Sequence, residues 1–243
     1  MIQINMIVAI IIAFMVKGLC GFANTLVFTS ILSFKESNIN ISPVEVLVGY
    51  PSNLIIAWKE RRNLDWKIWL PLSILVILGC LPGVFFLKIG NVETLKVVFG
   101  FVVVLIGIEM FFREYQKVKK KSSPIVMGII GLLSGLLSGL FGIGALLAAY
   151  VGRTTQDNSA FKGNLCVVFV VENTFRIILY SLTGIITLAT VKSAVVLLPF
   201  MLFGLLAGMG LAKNMNEKYL KKVIIVMLIL SGLSLIASNL SVL

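Results

Sequence analysis

An all-α integral membrane fold, made of two similar halves of four segments each, is what this sequence predicts. Three observations carry that prediction. The first is composition: of 243 residues, 59% are hydrophobic and 13% are charged, with a mean hydropathy of +1.06. A soluble core of this length has no room to hide so much apolar surface. The second is a regular succession of apolar segments of membrane length, joined by short connections. The third is a pair of glycine breaks about half a chain apart. One reads Lys17-Gly18-Leu19-Cys20-Gly21-Phe22-Ala23-Asn24, the other Ser138-Gly139-Leu140-Phe141-Gly142-Ile143-Gly144-Ala145. Shifted by 121 positions, Gly18 falls on Gly139, Leu19 on Leu140 and Gly21 on Gly142.

In chain order, residues 2–34 form a long apolar stretch split at Gly18–Gly21. Spans are expected at 43–59, 67–88 and 95–112, completing an N-terminal repeat over 1–116. A basic linker, 117–123, follows. The C-terminal repeat, 124–243, has the same order: a broken stretch at 124–152, then spans at 160–184, 190–212 and 219–240. Duplication is sharpest over 77–108, which a shift of 125 aligns without a gap. Gly79 meets Gly204, Gly83 meets Gly208, Lys88 meets Lys213, Asn91 meets Asn216 and Gly107 meets Gly232. Apolar residues align by chance, whereas polar and glycine matches in register support a true repeat.

The distribution of Lys and Arg favours re-entrant broken stretches, each entering and leaving on one side. One face of the membrane then receives the connections 59–67, 113–121, 153–162 and 213–222, while the other keeps only Lys35, Lys88, Lys96 and Lys192. That asymmetry follows the positive-inside bias, places both termini outside and makes the halves inverted repeats. If each broken stretch crosses once instead, the basic residues divide almost evenly. Residues 2–17 alone come close to spanning length, which is the argument for that alternative.

The net charge of +11 does not indicate nucleic acid, because the basic residues cluster at segment ends rather than on one contiguous face. With no histidine, and with Cys20, Cys80 and Cys166 scattered in apolar surroundings, no metal ligand set is expected. No cofactor is expected either. The absence of a basic residue before Lys17 does not fit a secretory signal peptide.

Glycine inside a membrane helix leaves backbone groups without helical partners, which survive only against protein or a polar cavity. Paired interruptions in corresponding halves point to a transporter's binding site. A half-helix that starts after each break turns unpaired N–H groups inward and favours an anion there. Gly18, Gly21, Gly139, Gly142 and Gly144 let backbone approach the ligand, and Asn24 and Thr25 add side-chain hydrogen bonds. For any one of these glycines close helix packing is the better account, and it is the paired breaks that carry the binding hypothesis.

On the 160–184 span, Glu172, Asn173 and Arg176 share a face, with Tyr180 one turn on. Ionisable groups at this depth mark a pathway or an ion pair. Arg176 fits an oxyanion clamp, and Glu172 either orients it or carries a coupling proton. A structural i,i+4 pair between the two is the alternative. The repeat places Ser52 and Asn53 opposite, with Asn53 matching Asn173 and the apolar Ile56 matching Arg176. Lys17 either faces the anion or snorkels to an interface. Glu45 and Glu109, near segment ends, are read as solvated. Trp58, Trp66 and Trp69 flank the 59–67 loop as an interfacial belt, and Arg113–Lys121 is read as a solvated linker touching anionic lipid.

The run Gly135 to Gly144, followed by Asn173, Arg176, Tyr180 and Gly184, resembles the sulfite exporter TauE/SafE family, also called TSUP. Gly18 to Phe22 resembles that family's N-terminal glycine motif, and the similarity covers nearly the whole chain. Ala145 stands where the family often has another Gly, and Ala23-Asn24 follow the first break in place of a Gly run. The resemblance implies a non-enzymatic secondary transporter of small anions, of sulfite, sulfonate or carboxylate type, in the cytoplasmic membrane. Its partners would be the anionic substrate and the lipid bilayer, with no nucleic acid; a homo-oligomer is compatible. A passive anion channel is the closest alternative. A membrane thiol–disulfide electron carrier is a further one, but the repeat pairs Cys20 with Phe141 and Cys166 with Val46, giving no symmetric couple.

Overall fold

The structure, a computed structural model, describes residues 4–32, 38–89, 124–142, 144–155 and 157–237, with positions 97, 100, 101, 104, 105, 108, 111 and 112. Regular structure among the described residues is entirely helical. The helices are α1 (Ile4–Cys20), α2 (Asn24–Leu32), α3 (Asn38–Lys59), α4 (Trp66–Ile89), α5 (Pro124–Phe141), α6 (Ala145–Thr154), α7 (Asn158–Leu182), α8 (Leu188–Lys213) and α9 (Glu217–Ala237). A 3₁₀ turn, Arg61–Asn63, joins α3 to α4. The linker 117–123, Glu109 and most of the 95–112 span lie outside the described residues, although the single described positions from 97 to 112 are all helical.

Helix ends follow local chemistry. α1 stops because Gly21 turns left-handed, with φ of 86°, and its amide donates back to the Lys17 carbonyl at 2.6 Å. α5 stops in the same way at Gly142, with φ of 71° and its amide 2.8 Å from the Ser138 carbonyl. Both are αL caps, which a residue without Cβ makes at least cost. α7 begins where the extended Asp157 accepts the Ala160 amide at 2.7 Å. α8 begins with a reciprocal Thr187–Thr190 capping box.

Among the described residues, three helices are long and apolar enough to span a bilayer: Trp66–Phe85 within α4, all of α7 and all of α8. α1 has 17 residues, about 26 Å of helix against about 30 Å of hydrocarbon. α5 has 18 residues, about 27 Å of helix, and carries no charged residue.

Glycines set the closest packing. α1 lies along α8 and α4 lies along α5, while α3 packs on α7. A Cβ on Gly18 would come within 2.5 Å of the Leu205 carbonyl, and one on Gly208 would strike the Met15 carbonyl. On the other pair, a Cβ on Gly79 would strike the Leu132 carbonyl and one on Gly139 would come within 2.6 Å of the Cys80 carbonyl. Small residues let these backbones touch, as helices in lipid require.

Polarity is reversed relative to a soluble protein. Leu182, Phe203 and Leu206 face outward, whereas Lys17, Glu45, Glu172 and Arg176 are at most 3% exposed. Charges inside and large aliphatic groups outside are the arrangement for a lipid environment. The protein is therefore a multi-pass helical membrane protein. Trp58 and Trp66 are exposed and carry Arg61 and Lys67 over their rings at 4.8 and 5.9 Å, in keeping with an interfacial belt. Asn164 accepts the Asp65 amide at 2.9 Å and donates to the Asn63 carbonyl at 3.4 Å. The turn after α3 and the first turns of α7 thus share one end of the molecule.

Candidate functional site

The two helix breaks meet at a small buried cavity. Its walls include Ala23, Asn24, Thr25 and Leu26 at the start of α2, and Gly142, Gly144 and Ala145 around the start of α6. Lys17, Glu45, Asn53, Phe169, Glu172, Asn173 and Arg176 complete them. The first intrahelical bonds beyond the breaks run from Val27 to the Ala23 carbonyl and from Ala148 to the Gly144 carbonyl, at 3.0 and 2.9 Å. The half-helices α2 and α6 start here, and the N-terminal ends of their dipoles put partial positive charge toward this space. Ala23 holds φ of 71° without being glycine, a costly conformation kept at the cavity wall.

Arg176 is the centre of the charged network. Its Nη2 donates to Glu45 Oε2 at 3.1 Å and its Nη1 donates to the Ser138 carbonyl at 2.7 Å. Glu172 Oε1 lies 3.5 Å from Nη1, close enough for an ion pair but without a hydrogen bond. Arg176 Nε also has no acceptor. The guanidinium therefore ties the last turn of α5 to α3 and α7, with Tyr180 below it at 5.8 Å. Tyr180 in turn donates to the Gly139 carbonyl at 3.1 Å and pairs with the Ser42 hydroxyl at 3.1 Å.

Glu45 is where the structure departs most from the sequence reading. It is 3% exposed rather than solvated. Its Oε1 accepts from Asn24 Nδ2 at 2.6 Å and from Thr25 Oγ1 at 2.7 Å, while Oε2 meets Arg176. Sequence offered one overlooked signal: Glu45 shares a helical face with Ser52 and Asn53, seven and eight residues on. Lys17 is also buried and lies on the cavity wall, not at an interface. Among the described residues its ammonium has no hydrogen bond or ion pair, and it rests 5.6 Å from the Phe14 ring. Lys17 and Arg176 against Glu45 and Glu172 bring the cavity to zero net charge.

Of the residues singled out from sequence, Asn24, Thr25, Asn53, Gly142, Gly144, Glu172, Asn173 and Arg176 line the cavity. The other four stand behind it. Gly18 and Gly139 are packing contacts on α8 and α4 whose carbonyls accept from Lys162 Nζ at 3.2 Å and from Tyr180. Gly21 forms the first cap, under the Lys162 side chain. Ser52 turns its hydroxyl onto the Gly49 carbonyl. Asn53 and Asn173 bring amides from α3 and α7 to one space, with Asn53 Oδ1 unpartnered. Sequence reasoning missed Phe169, whose ring lies against Gly144. Cys20, Cys80 and Cys166 are each buried and free, away from the cavity wall.

Two cations, two half-helix starts and two carboxamides around a buried space suit an oxyanion. Among the described residues no group of three or more acidic or Cys side chains is placed to hold a metal ion. The family model described as Sulfite exporter TauE/SafE matches residues 6–235. No curated protein and no solved structure matches the chain. The family is one of membrane transporters, not of enzymes, and the match spans nearly every segment described above. This chain belongs to the sulfite exporter TauE/SafE family.

Proposed function

We propose that the protein is a secondary transporter that carries a small anion of the sulfite, sulfonate or carboxylate type across the cytoplasmic membrane. One observation carries this reading above the others. The N-terminal turns of α2 and α6 open on a single buried cavity that also holds Lys17 and Arg176. The anion binds there, to backbone N–H groups at the start of α6, to Arg176 and to the carboxamides of Asn53 and Asn173, with Asn24 and Thr25 at the far wall. Gly18, Gly21, Gly139 and Ser52 hold the backbone that shapes the site. Because the cavity is neutral when empty, an arriving anion leaves excess negative charge in a medium of low dielectric. Glu172, whose Oε1 is ion-paired with Arg176 but accepts no hydrogen bond, is the group to take up a coupling proton.

Uptake of sulfite into proteoliposomes separates this from passive conduction. With an inward proton gradient, sulfite should accumulate above its equilibrium distribution, and without one it should only equilibrate. Indifference to the gradient would favour a channel.

The same reading extends to architecture: a repeat over 1–116, a linker at 117–123 and an inverted repeat over 124–243, each half starting with a re-entrant pair. Three observations support it. The described part of α1, 17 residues, is at the short limit for a span, the two breaks have the same caps, and α1 on α8 mirrors α5 on α4. In addition, the connections 59–67 and 153–162 share one end, through Asn164 with Asn63 and Asp65. Single crossings of both broken stretches would send those connections to opposite ends. In a background with the three native cysteines replaced, cysteine at Asn5 should label from outside and cysteine at Arg62 only after permeabilisation. Labelling of both from one side would overturn the topology.

A further inference from the structure

Among the described residues, Glu45 is the only carboxylate whose two oxygens are both held by donors of the cavity wall. Oε1 takes two hydrogen bonds from side chains in the first turn of α2, and Oε2 takes one from the guanidinium of Arg176. A carboxylate at a helix start, with charge-assisted partners on both oxygens, occupies the position an external oxyanion would take. The second break has no equivalent. Ala145 and Leu146 stand where the first has Asn24 and Thr25, so the start of α6 offers backbone alone.

We propose that Glu45 is a tethered surrogate anion: it fills half of the binding site in the empty protein, and the transported anion must displace it from Arg176. This rests on the reading of the cavity as an anion site. Glu45 then sets affinity by competing, and its own shape describes the ligand. Two oxygens on one central atom, bridging the Asn24–Thr25 pair and a guanidinium, are a feature of carboxylates, sulfite and sulfonates. A monatomic anion has one centre and cannot replace both contacts. Displacement is feasible because Arg176 keeps Glu172 3.5 Å away, so its charge is not stranded when Glu45 leaves. The groups that face Glu45 are Asn24 and Thr25 from α2, Lys17 from α1, and Glu172 and Arg176 from α7, while α6 brings no charge to the cavity.

A scaffold role predicts the opposite outcome, since a residue that merely ties α2 to α7 supports binding and its removal weakens it. Sulfite binding to purified protein distinguishes the two. Glu45→Gln keeps the shape, but turns an N–H₂ toward the Arg176 donor and frees the guanidinium. It should bind sulfite at least about tenfold more tightly than wild type. Glu45→Asp keeps the charge but withdraws the carboxylate by one methylene from Asn24 and Thr25, and should tighten binding several-fold. Unchanged or weaker binding in whichever variant folds overturns the proposal. Should neither fold, infrared difference spectra of the wild-type protein decide. Sulfite should shift a carboxylate stretching band, and an unshifted band overturns the displacement. Sulfite binding by wild type with no gain in either variant refutes only the surrogate. Absence of binding in all three proteins removes the anion site as well.

Discussion

Gly142→Leu should abolish sulfite uptake, by at least about a hundredfold, in protein that still elutes as a folded species. Two separate costs meet at this residue. Its φ of 71° is a left-handed conformation that an L side chain adopts at a cost of roughly 1 kcal/mol. A Cβ there would also stand 2.8 Å from Arg176 Nη1 and 3.1 Å from both Glu45 Oε2 and Thr25 Cγ2. Leucine would push apart the network that the anion is proposed to enter. The stability cost is bounded because the displaced groups border a cavity rather than a filled core. Gly21→Leu is the matched control, with φ of 86°. Its Cβ meets the Lys162 side chain, 2.9 Å from Cγ, and a flexible side chain can move. Gly21→Leu should therefore lose less transport than Gly142→Leu. Near-normal uptake by Gly142→Leu would refute the site, and loss of the protein from the membrane in both variants would point to packing alone.

The breaks were legible in sequence because glycine is a conformational signal: Gly21 and Gly142 stand where α1 and α5 end, and both take positive φ. Segment limits were legible to within a turn where a polar cap marks them. The 160–184 span starts at Asn158 behind the Asp157 cap, and ends at Leu182, before Thr183 and Gly184. α3 was misjudged at its start. It begins at Asn38 rather than near 43, so Glu45 lies two turns inside the helix instead of at its mouth. That five-residue difference turned a buried charge into an apparently solvated one. The network around Arg176 was only half legible for another reason. Periodicity reveals partners on one helix, so Glu172 at i,i+4 was visible, whereas Glu45 is 131 positions away and is brought in by the packing of α3 on α7. Their sequence position beside the break makes Asn24 and Thr25 candidate ligand donors, whereas the structure directs their side chains to Glu45, a pairing that no local pattern encodes.

Arg176→Gln should give the largest loss of stability of any single change at the site, about 3–5 kcal/mol, because it strands buried carboxylates. Glu45 and Glu172 would then face Lys17 alone, and the Ser138 carbonyl would lose its donor. The double change Glu172→Gln with Arg176→Gln restores the balance, with Glu45 against Lys17 and with Asn24 and Thr25 still donating to Glu45. It should recover much of that stability in thermal unfolding, and this separates charge balance from function. If Arg176 binds the anion, the double variant stays folded yet binds no sulfite at equilibrium, a readout that does not depend on the proton proposed for Glu172. If the guanidinium only ties α5 to α3, the double variant still binds sulfite. Arg176→Lys tests the geometry on the same scale. Once Glu45 is displaced, a point charge cannot hold an anion oxygen and the Ser138 carbonyl from two fixed N–H directions. Sulfite affinity should fall about tenfold or more in Arg176→Lys, about 1.4 kcal/mol, while the net charge of the cavity stays the same. Equal affinity in Arg176→Lys and wild type would show that the planar fork has no part in binding. The anion would then be held by the two half-helix starts, Lys17 and the paired carboxamides of Asn53 and Asn173.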